Sequence, residues 1–247
     1  AYDTAVSAAE EYGAEQRRIR DIEALLNQLH QEGLYVVARV TVFQDPIFAA
    51  ARPDLAIHSM QKLNPESFAE LFKIVQEEEL AKEDVLQKAE SKTKEDIEKE
   101  QIRAALLQLE NAEGTVKARA KEDLDAATLW LDNKGLAWMD AASEEVWQYN
   151  VAVAKDAASR GFDEINFDYV RFPSDGNLKD MSFPFWDRQT PRQAVMRDFF
   201  AYLREHLPNV VISADLFGLS TSSADDLGIG QVIEDAYEYF DYVYPMV

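Results

Sequence analysis

The chain contains no cysteine, which excludes a disulfide framework, a thiolate metal site and a cysteine nucleophile. Its three histidines, His30, His58 and His206, are scattered and leave little room for a histidine-rich metal centre or a histidine-cluster pH switch. Positive charge is scarce: 25 Lys and Arg stand against 46 Asp and Glu, a formal net charge of −21. That balance argues against nucleic acid and anionic membrane as main partners, because both reward Lys and Arg. No apolar run approaches the ~20 residues a membrane-spanning helix needs. The N-terminus at Ala1 does not read as a signal peptide, and a start without Met is expected of a processed or trimmed chain. A phosphate-binding glycine loop is also missing, since Gly228-Ile229-Gly230 lacks the strand–turn–helix context that would give it weight. No serine sits in a nucleophile-elbow pattern.

What is present is enough for a substantial core: 247 residues, 47% of them hydrophobic. The acidity is uneven. Residues 1–75 carry 11 acids and 7 bases, 76–125 carry 15 and 9, and 126–247 carry 20 and 9. The middle stretch has no aromatic, no proline and only Gly114, and its Glu/Lys/Gln/Ala/Leu content favours helix. Ile102, Leu106 and Leu109, then Val116, Ala120 and Leu124, recur at the spacing of an amphipathic helix. The pattern predicts helices over roughly 66–90 and 94–126, paired as an exposed hairpin. A solvated structural arm is the plain interpretation; a partner-binding or self-associating coiled coil is the sharper one. The expected organisation is therefore a domain of residues 1–61 and 127–247, with an inserted helical arm at 62–126.

The flanking regions alternate helix and strand. A helix is predicted over 19–32, stopped by Gly33, and a nearly continuous apolar strand over 34–43, as expected of a strand buried on both faces. Beyond the arm come a helix at 143–159 with Ser143 as candidate N-cap and Gly161 past its end, a strand at 164–171, a helix at 190–206, a strand at 210–217, a helix near 229–240 and a strand at 242–247. The aromatic segment 129–139 is a possible fifth strand. Such alternation implies βαβ units and a parallel sheet, either an incomplete barrel or an open one.

Side chains alternate across a strand, so Glu164, Asn166 and Asp168 share one face while Ile165, Phe167 and Tyr169 share the other. The next strand repeats this with Ser213 and Asp215 against Ile212, Ala214 and Leu216. Polar rows on buried strands are costly unless paired or lining a polar cavity. Parallel α/β folds keep their sites outside the carboxyl ends of strands, which is where Asp168 and Asp215 fall. Duller roles are open for each. Asp168 could pair with Arg171 or Arg39, Asp215 could cap the turn from Phe217 to Ser220, and Glu164 is expected as a buried partner of Arg39. Asp45, Asp132 and Asp140 fit turns better than ligands. Trp130, Trp138, Tyr169, Phe185, Trp186 and Tyr244 could stack on sugar rings, although aromatics more often serve the core.

The string GFDEINFDYVRFPSDG at 161–176 resembles the signature of a glycoside hydrolase domain family, a barrel family long classed as of unknown function. ARVTVFQDP at 38–46, ARPDLAI at 51–57, GLAWMDAASEEVWQYN at 135–150, ISADLFG at 212–218, DLGIGQ at 226–231 and YPMV at 244–247 agree with it in order. The resemblance implies a (β/α)₈ TIM-type barrel, related to α-amylase-like enzymes, with Asp168 ending the fourth strand as a catalytic carboxylate and Asp215 ending the fifth as its acid/base partner. Related retaining enzymes use Glu at the latter position. By the family pattern a first strand would precede Ala1 and the seventh and eighth would follow Val247, so the barrel is expected to be incomplete at both termini.

The expected activity is glycosidic bond hydrolysis of a polysaccharide by two carboxylates, without a cofactor or metal. Asp168 and Asp215 are the catalytic candidates, and Arg39, Asp45, Trp138, Asn166, Tyr169, Arg171 and Tyr244 the substrate-binding ones. Arg39 and Arg171 would keep Asp168 ionised. The alternatives are a non-catalytic carbohydrate-binding or scaffold barrel whose arm docks a protein partner, and a divalent-metal enzyme using the clustered acids. The acidity of residues 126–247 favours a neutral or basic glycan over an acidic one. Action at the cell envelope or outside the cell is the expected setting.

Overall fold

A computed structural model describes residues 4–13, 18–62 and 128–247. The chain divides into two compact units, Ala1–His58 with Leu129–Val247, and Ser59–Thr128. Of the second, residues 59–62 and 128 are described; there the Ser59 N–H donates to the Thr128 carbonyl at 2.8 Å. The charged hairpin expected within 62–126 lies outside the described residues.

The first unit is built on a parallel sheet of four strands: β1 (Val37–Thr41), β2 (Glu164–Asp168), β3 (Ile212–Phe217) and β4 (Tyr242–Met246), side by side in that order. Its helices are α1 (Ser7–Glu11), α2 (Ile22–Gln31), α3 (Pro46–Ala51), α4 (Glu144–Arg160), α5 (Arg192–His206) and α6 (Ile233–Tyr239). The chain thus alternates strand and helix from β2 onward, as the βαβ pattern requires. The sheet is not closed, and a complete eight-stranded barrel is not what the described residues form.

Position in the sheet decides burial. All five residues of β2 are buried, and β3 is nearly so. The apolar run ending in β1 predicts a strand covered on both faces, yet Val37, Arg39 and Thr41 are exposed, Val37 by 40%. The reason is geometric: among the described residues β1 is an edge strand, paired only with β2, so its apolar composition is not matched by neighbours on both sides. Residues 129–139 do not add a strand to the sheet. They make isolated antiparallel bridges, Ala56 with Met139, His58 with Leu129 and Leu131 with Ala137. The Asp132 carboxylate accepts from the Lys134 and Leu136 N–H groups at 2.8 and 2.9 Å, folding the segment into a turn.

The helices start and stop for local reasons. Asp21 caps α2 by accepting from the Ala24 N–H at 2.8 Å. Gly161 ends α4 in the left-handed conformation, φ +104°. Ser143 occupies the N-cap position of α4, but its hydroxyl makes no cap bond and is buried without a partner. Ile165, Phe167, Ile212, Ala214 and Leu216 join one core with Phe199, Phe200 and Leu203 of α5 and Phe240. Each large side chain so buried contributes about 1.5–3 kcal/mol. With the apolar face of β2 and β3 committed to the helices, their polar residues are left to one another on the opposite face.

Candidate active site

Asp168 is the last residue of β2, and the strand geometry breaks directly after it, Tyr169 having φ +56°. Positive φ is costly for an aromatic residue, and at this break in the strand the Tyr169 N–H donates to Asp168 Oδ1 at 2.6 Å. The other carboxylate oxygen accepts from Arg39 Nη2. The Arg39 Nε lies 3.9 Å from Asp215 Oδ2, so one guanidinium from β1 spans carboxylates ending β2 and in β3. Arg39 reaches them with a side chain that is 57% exposed, so the pair borders solvent.

Asn166 sits beneath. Its amide donates to Asp215 Oδ1 and to Ser213 Oγ, both at 3.1 Å. The Ser213 hydroxyl donates to Glu164 Oε1 at 2.5 Å, and the same oxygen accepts from the Tyr244 hydroxyl at 2.9 Å. Glu164 Oε2 accepts from the Tyr35 hydroxyl at 3.1 Å. A buried carboxylate is thereby satisfied by three hydroxyl donors, and a continuous hydrogen-bonded line runs from Glu164 to Asp215.

The electrostatics separate the two ends of this line. Burial pushes the Asp215 carboxyl above the usual aspartate range, and the charge of Asp168 pushes it further; the Asn166 bond and the Arg39 cation oppose the shift without cancelling it. Burial and the Glu164 carboxylate push the Tyr35 hydroxyl up to about 12, and the Tyr244 hydroxyl is raised by the same causes.

Three structural expectations fail here, the third concerning Arg171. Glu164 pairs with hydroxyls and not with Arg39, because Arg39 points toward the carboxyl end of the strands. Asp215 does not cap the following turn: the Phe217 N–H donates at 2.9 Å to Gln231 Oε1, and Gln231 Nε2 donates to the Val170 carbonyl at 3.3 Å. Gln231, fully buried, closes the DLGIGQ segment, but a glutamine in a loop carries no spacing signal that would mark it as a functional residue.

Arg171 does not pair with Asp168 either. Its Nη1 donates to the Phe172 carbonyl at 3.0 Å and to Ser174 Oγ at 3.1 Å. The guanidinium lies over the rings of Phe217 at 4.7 Å, Trp138 at 4.8 Å and Tyr169 at 5.4 Å. Trp138 is fully buried and donates its indole N–H to Asp132 Oδ2 at 3.1 Å, so it supports the site from below and offers no open ring face. Tyr169 meets Trp138 edge-on.

The structure therefore brings Asp168, Asp215, Arg39 and Asn166 into one cluster, joins Tyr244 to it through Glu164, and sets Arg171, Tyr169 and Trp138 in an adjoining layer. Asp45 is outside. It caps α3, accepting from the Ile47 and Phe48 N–H groups at 3.1 and 3.0 Å. Asp140 holds a loop in the same way, accepting from the Ala142, Phe185 and Trp186 N–H groups. Of the aromatics with stacking potential, Trp130 and Trp186 are buried, whereas Phe185 and Tyr244 are exposed. Among the described residues no three acidic or histidine side chains gather in a metal-holding group. None of the described helices is long and apolar enough to cross a membrane.

A family model described as "Putative glycosyl hydrolase domain" matches residues 1–74 and 111–247. Among solved structures, a hypothetical protein from Ruminiclostridium thermocellum ATCC 27405 is similar, with a TM-score of 0.55 and 24% identity over 92% of this chain and 76% of that one. At that identity the likeness concerns the fold alone. No curated protein matches.

Proposed function

The chain belongs to this glycosyl hydrolase domain family, and we propose that it hydrolyses the glycosidic bonds of a polysaccharide with Asp168 and Asp215 as the reacting carboxyl pair. The observation that carries this reading is the convergence of the two carboxylates at the carboxyl ends of adjacent parallel strands, spanned by the Arg39 guanidinium.

Hydrolysis needs one carboxyl group that gives a proton and one that does not. Asp215, raised by burial and by its acidic neighbour, is suited to protonate the glycosidic oxygen as the C–O bond breaks. Asp168 has both oxygens engaged by donors, one of them cationic, and acts on the anomeric carbon as nucleophile or on the attacking water as base. Arg39 orients both groups, and Asn166 fixes the rotamer of Asp215. The four-stranded sheet fits a segment of a (β/α)₈ barrel, with a wall of which the polar face of β2 and β3 would be the lining. A glycan of the cell envelope is the proposed substrate, and the arm at 62–126 the proposed docking element for a protein partner.

Release of reducing ends by the full-length protein tests this. Asp168→Asn should lose at least about a thousandfold in kcat while sugar binding persists. A variant turning over at the parent rate, or a parent protein that releases nothing from a broad glycan panel, sinks the reading. Proton NMR of the first-formed anomer then reports whether configuration is retained or inverted, the choice set by carboxyl separations of about 5–5.5 Å or about 6.5–9.5 Å.

A further inference from the structure

Arg171 holds an unusual position for a cation. Only 8% of it is exposed, and among the described residues no carboxylate lies within ion-pairing distance of it. Asp168, Asp175 and Asp132 act on it only through space. Taking a guanidinium out of water is costly unless a close partner compensates. Ring faces recover only part of that cost.

The fork itself is half used. Nη1 carries the two hydrogen bonds to Phe172 and Ser174. Nε and Nη2 carry none, and neither is among the buried atoms sealed from solvent without a partner. Neither is therefore wholly sealed from solvent. Arg192 supplies the contrast. It also lies over two rings, Phe172 and Trp186, and holds the Gly228 carbonyl, but its spare Nε is sealed inside the protein. Arg192 is a structural strut; Arg171 presents an unspent edge.

That edge is clamped in place. The three rings around it belong to Tyr169, directly after Asp168; to Phe217, two residues beyond Asp215; and to Trp138, pinned by Asp132. The side chain is thus held rigidly over the end of the strands that carry the carboxyl pair. A planar, pre-oriented pair of N–H donors on a permanent cation matches an oxyanion better than it matches a hydroxyl.

We propose that Arg171 is the specificity-determining residue beside the carboxyl pair and that it binds an anionic substituent, a carboxylate or a sulfate ester, on a sugar unit of the substrate. The inference rests on the glycosidase reading and names the substrate class within it. It reverses the expectation, drawn from the net charge, of a neutral or basic glycan. The net charge acts at long range and is damped within about 8 Å at physiological salt, whereas the fork acts in contact. Overall acidity then slows the approach of an acidic polymer, and Arg171 selects the unit that is seated.

The test compares paired polymers in which only the anion changes. One pair is a uronic acid polysaccharide and the same polymer after carboxyl reduction to neutral sugars; the other is a sulfated polysaccharide and its desulfated form. The full-length protein should cleave one acidic member about ten- to a hundredfold faster, in kcat/KM, than its neutral counterpart. Which pair shows the difference tells carboxylate from sulfate. Arg171→Gln should lose that factor on the acidic polymer and cleave both members of the pair alike, and Arg171→Lys should restore part of it. Unchanged melting temperatures in both variants separate this from misfolding. Equal cleavage of acidic and neutral members by the parent protein overturns the proposal, as does a loss in Arg171→Gln that is the same on both. If the parent cleaves none of the four, the glycosidase reading is judged on the broad glycan panel alone. Affinity electrophoresis in the same polymers then decides the inference: retardation by an acidic polymer that Arg171→Gln abolishes supports it, and equal mobility in all four overturns it.

Discussion

Asp215 and Asp168 illustrate how much a single contact decides. The Asp215 carboxyl is raised by burial first and by Asp168 second, and held back by Asn166 and Arg39. If Asp215 gives the proton, activity falls as pH rises through its raised value, so the basic limb of the kcat profile lies above the ordinary aspartate range. Removing the Arg39 cation with Arg39→Gln takes away a stabiliser of the ionised form. The limb should then move to higher pH; a limb that stays or moves lower assigns the proton to another group. Asp132 has the opposite sign. Four donors, from Gln44, Trp138, Lys134 and Leu136, outweigh its burial and hold its carboxyl below the usual range. Its contribution to stability is present above the unfolded value and lost as pH falls through the folded one. Asp132→Asn should cost about 1–3 kcal/mol in urea unfolding at neutral pH and much less in acid; an equal cost at both would remove the charge from the explanation. Residue identity was legible in part. The polar rows of two strands placed Asp168, Asp215 and Asn166 correctly on one face. Partner choice was not legible, since whether Arg39 reaches Glu164 or Asp168 depends on side-chain direction along the strand, which alternation alone leaves open.

At the scale of elements, periodicity and punctuation recovered the four strands of the sheet and helices α2, α4, α5 and α6, but not the short helices α1 and α3. Edges were less readable: helix α6 begins four residues later than the apolar pattern starts, and β2 stops at Asp168 because Tyr169 leaves the extended region. Composition also overstated β1, whose residues suit a central strand while its neighbours make it an edge. Two glycines separate backbone conformation from packing. A Cβ at Gly161 would meet nothing, so only its positive φ matters. At Gly230, also with positive φ, a Cβ would lie 2.7 Å from Met196 Cγ and 2.8 Å from the Arg192 carbonyl oxygen of α5. Gly161→Ala should therefore cost about 1 kcal/mol, and Gly230→Ala clearly more because backbone must shift as well. Thermal unfolding of both variants checks the order; equal losses would make the packing at Gly230 irrelevant. The pair Gly228 and Gly230, without meaning as a phosphate loop, thus acquires one as the place where a loop closes on α5.

For the whole molecule, open edges and net charge act against each other. β1 exposes Val37, and β4 exposes Tyr242, Tyr244 and Met246, and the outer edge of each pairs with no other strand among the described residues. Such edges template association with another strand. The net charge of −21 opposes it by mutual repulsion. Salt weakens only the second effect, so the 247-residue chain on its own should sediment as larger species as ionic strength rises from about 0.01 M to about 1 M, where the screening length falls from about 30 Å to about 3 Å. Loss of association with added salt would show charge pairing, not edge pairing, to be its cause.

The Arg39–Asp168 contact joins residues 129 positions apart. Closing so long a loop costs entropy before any contact repays it, and each doubling of length adds only about 0.6 kcal/mol, so the delay is set mainly by having to wait for both strands. Helices α4 and α5 can gain structure from local sequence alone. The carboxyl pair cannot: it requires β1, β2 and β3 in register together. Assembly of the proposed carboxyl pair is therefore a late event in folding, and a partly folded chain with most of its helix already formed does not yet contain it.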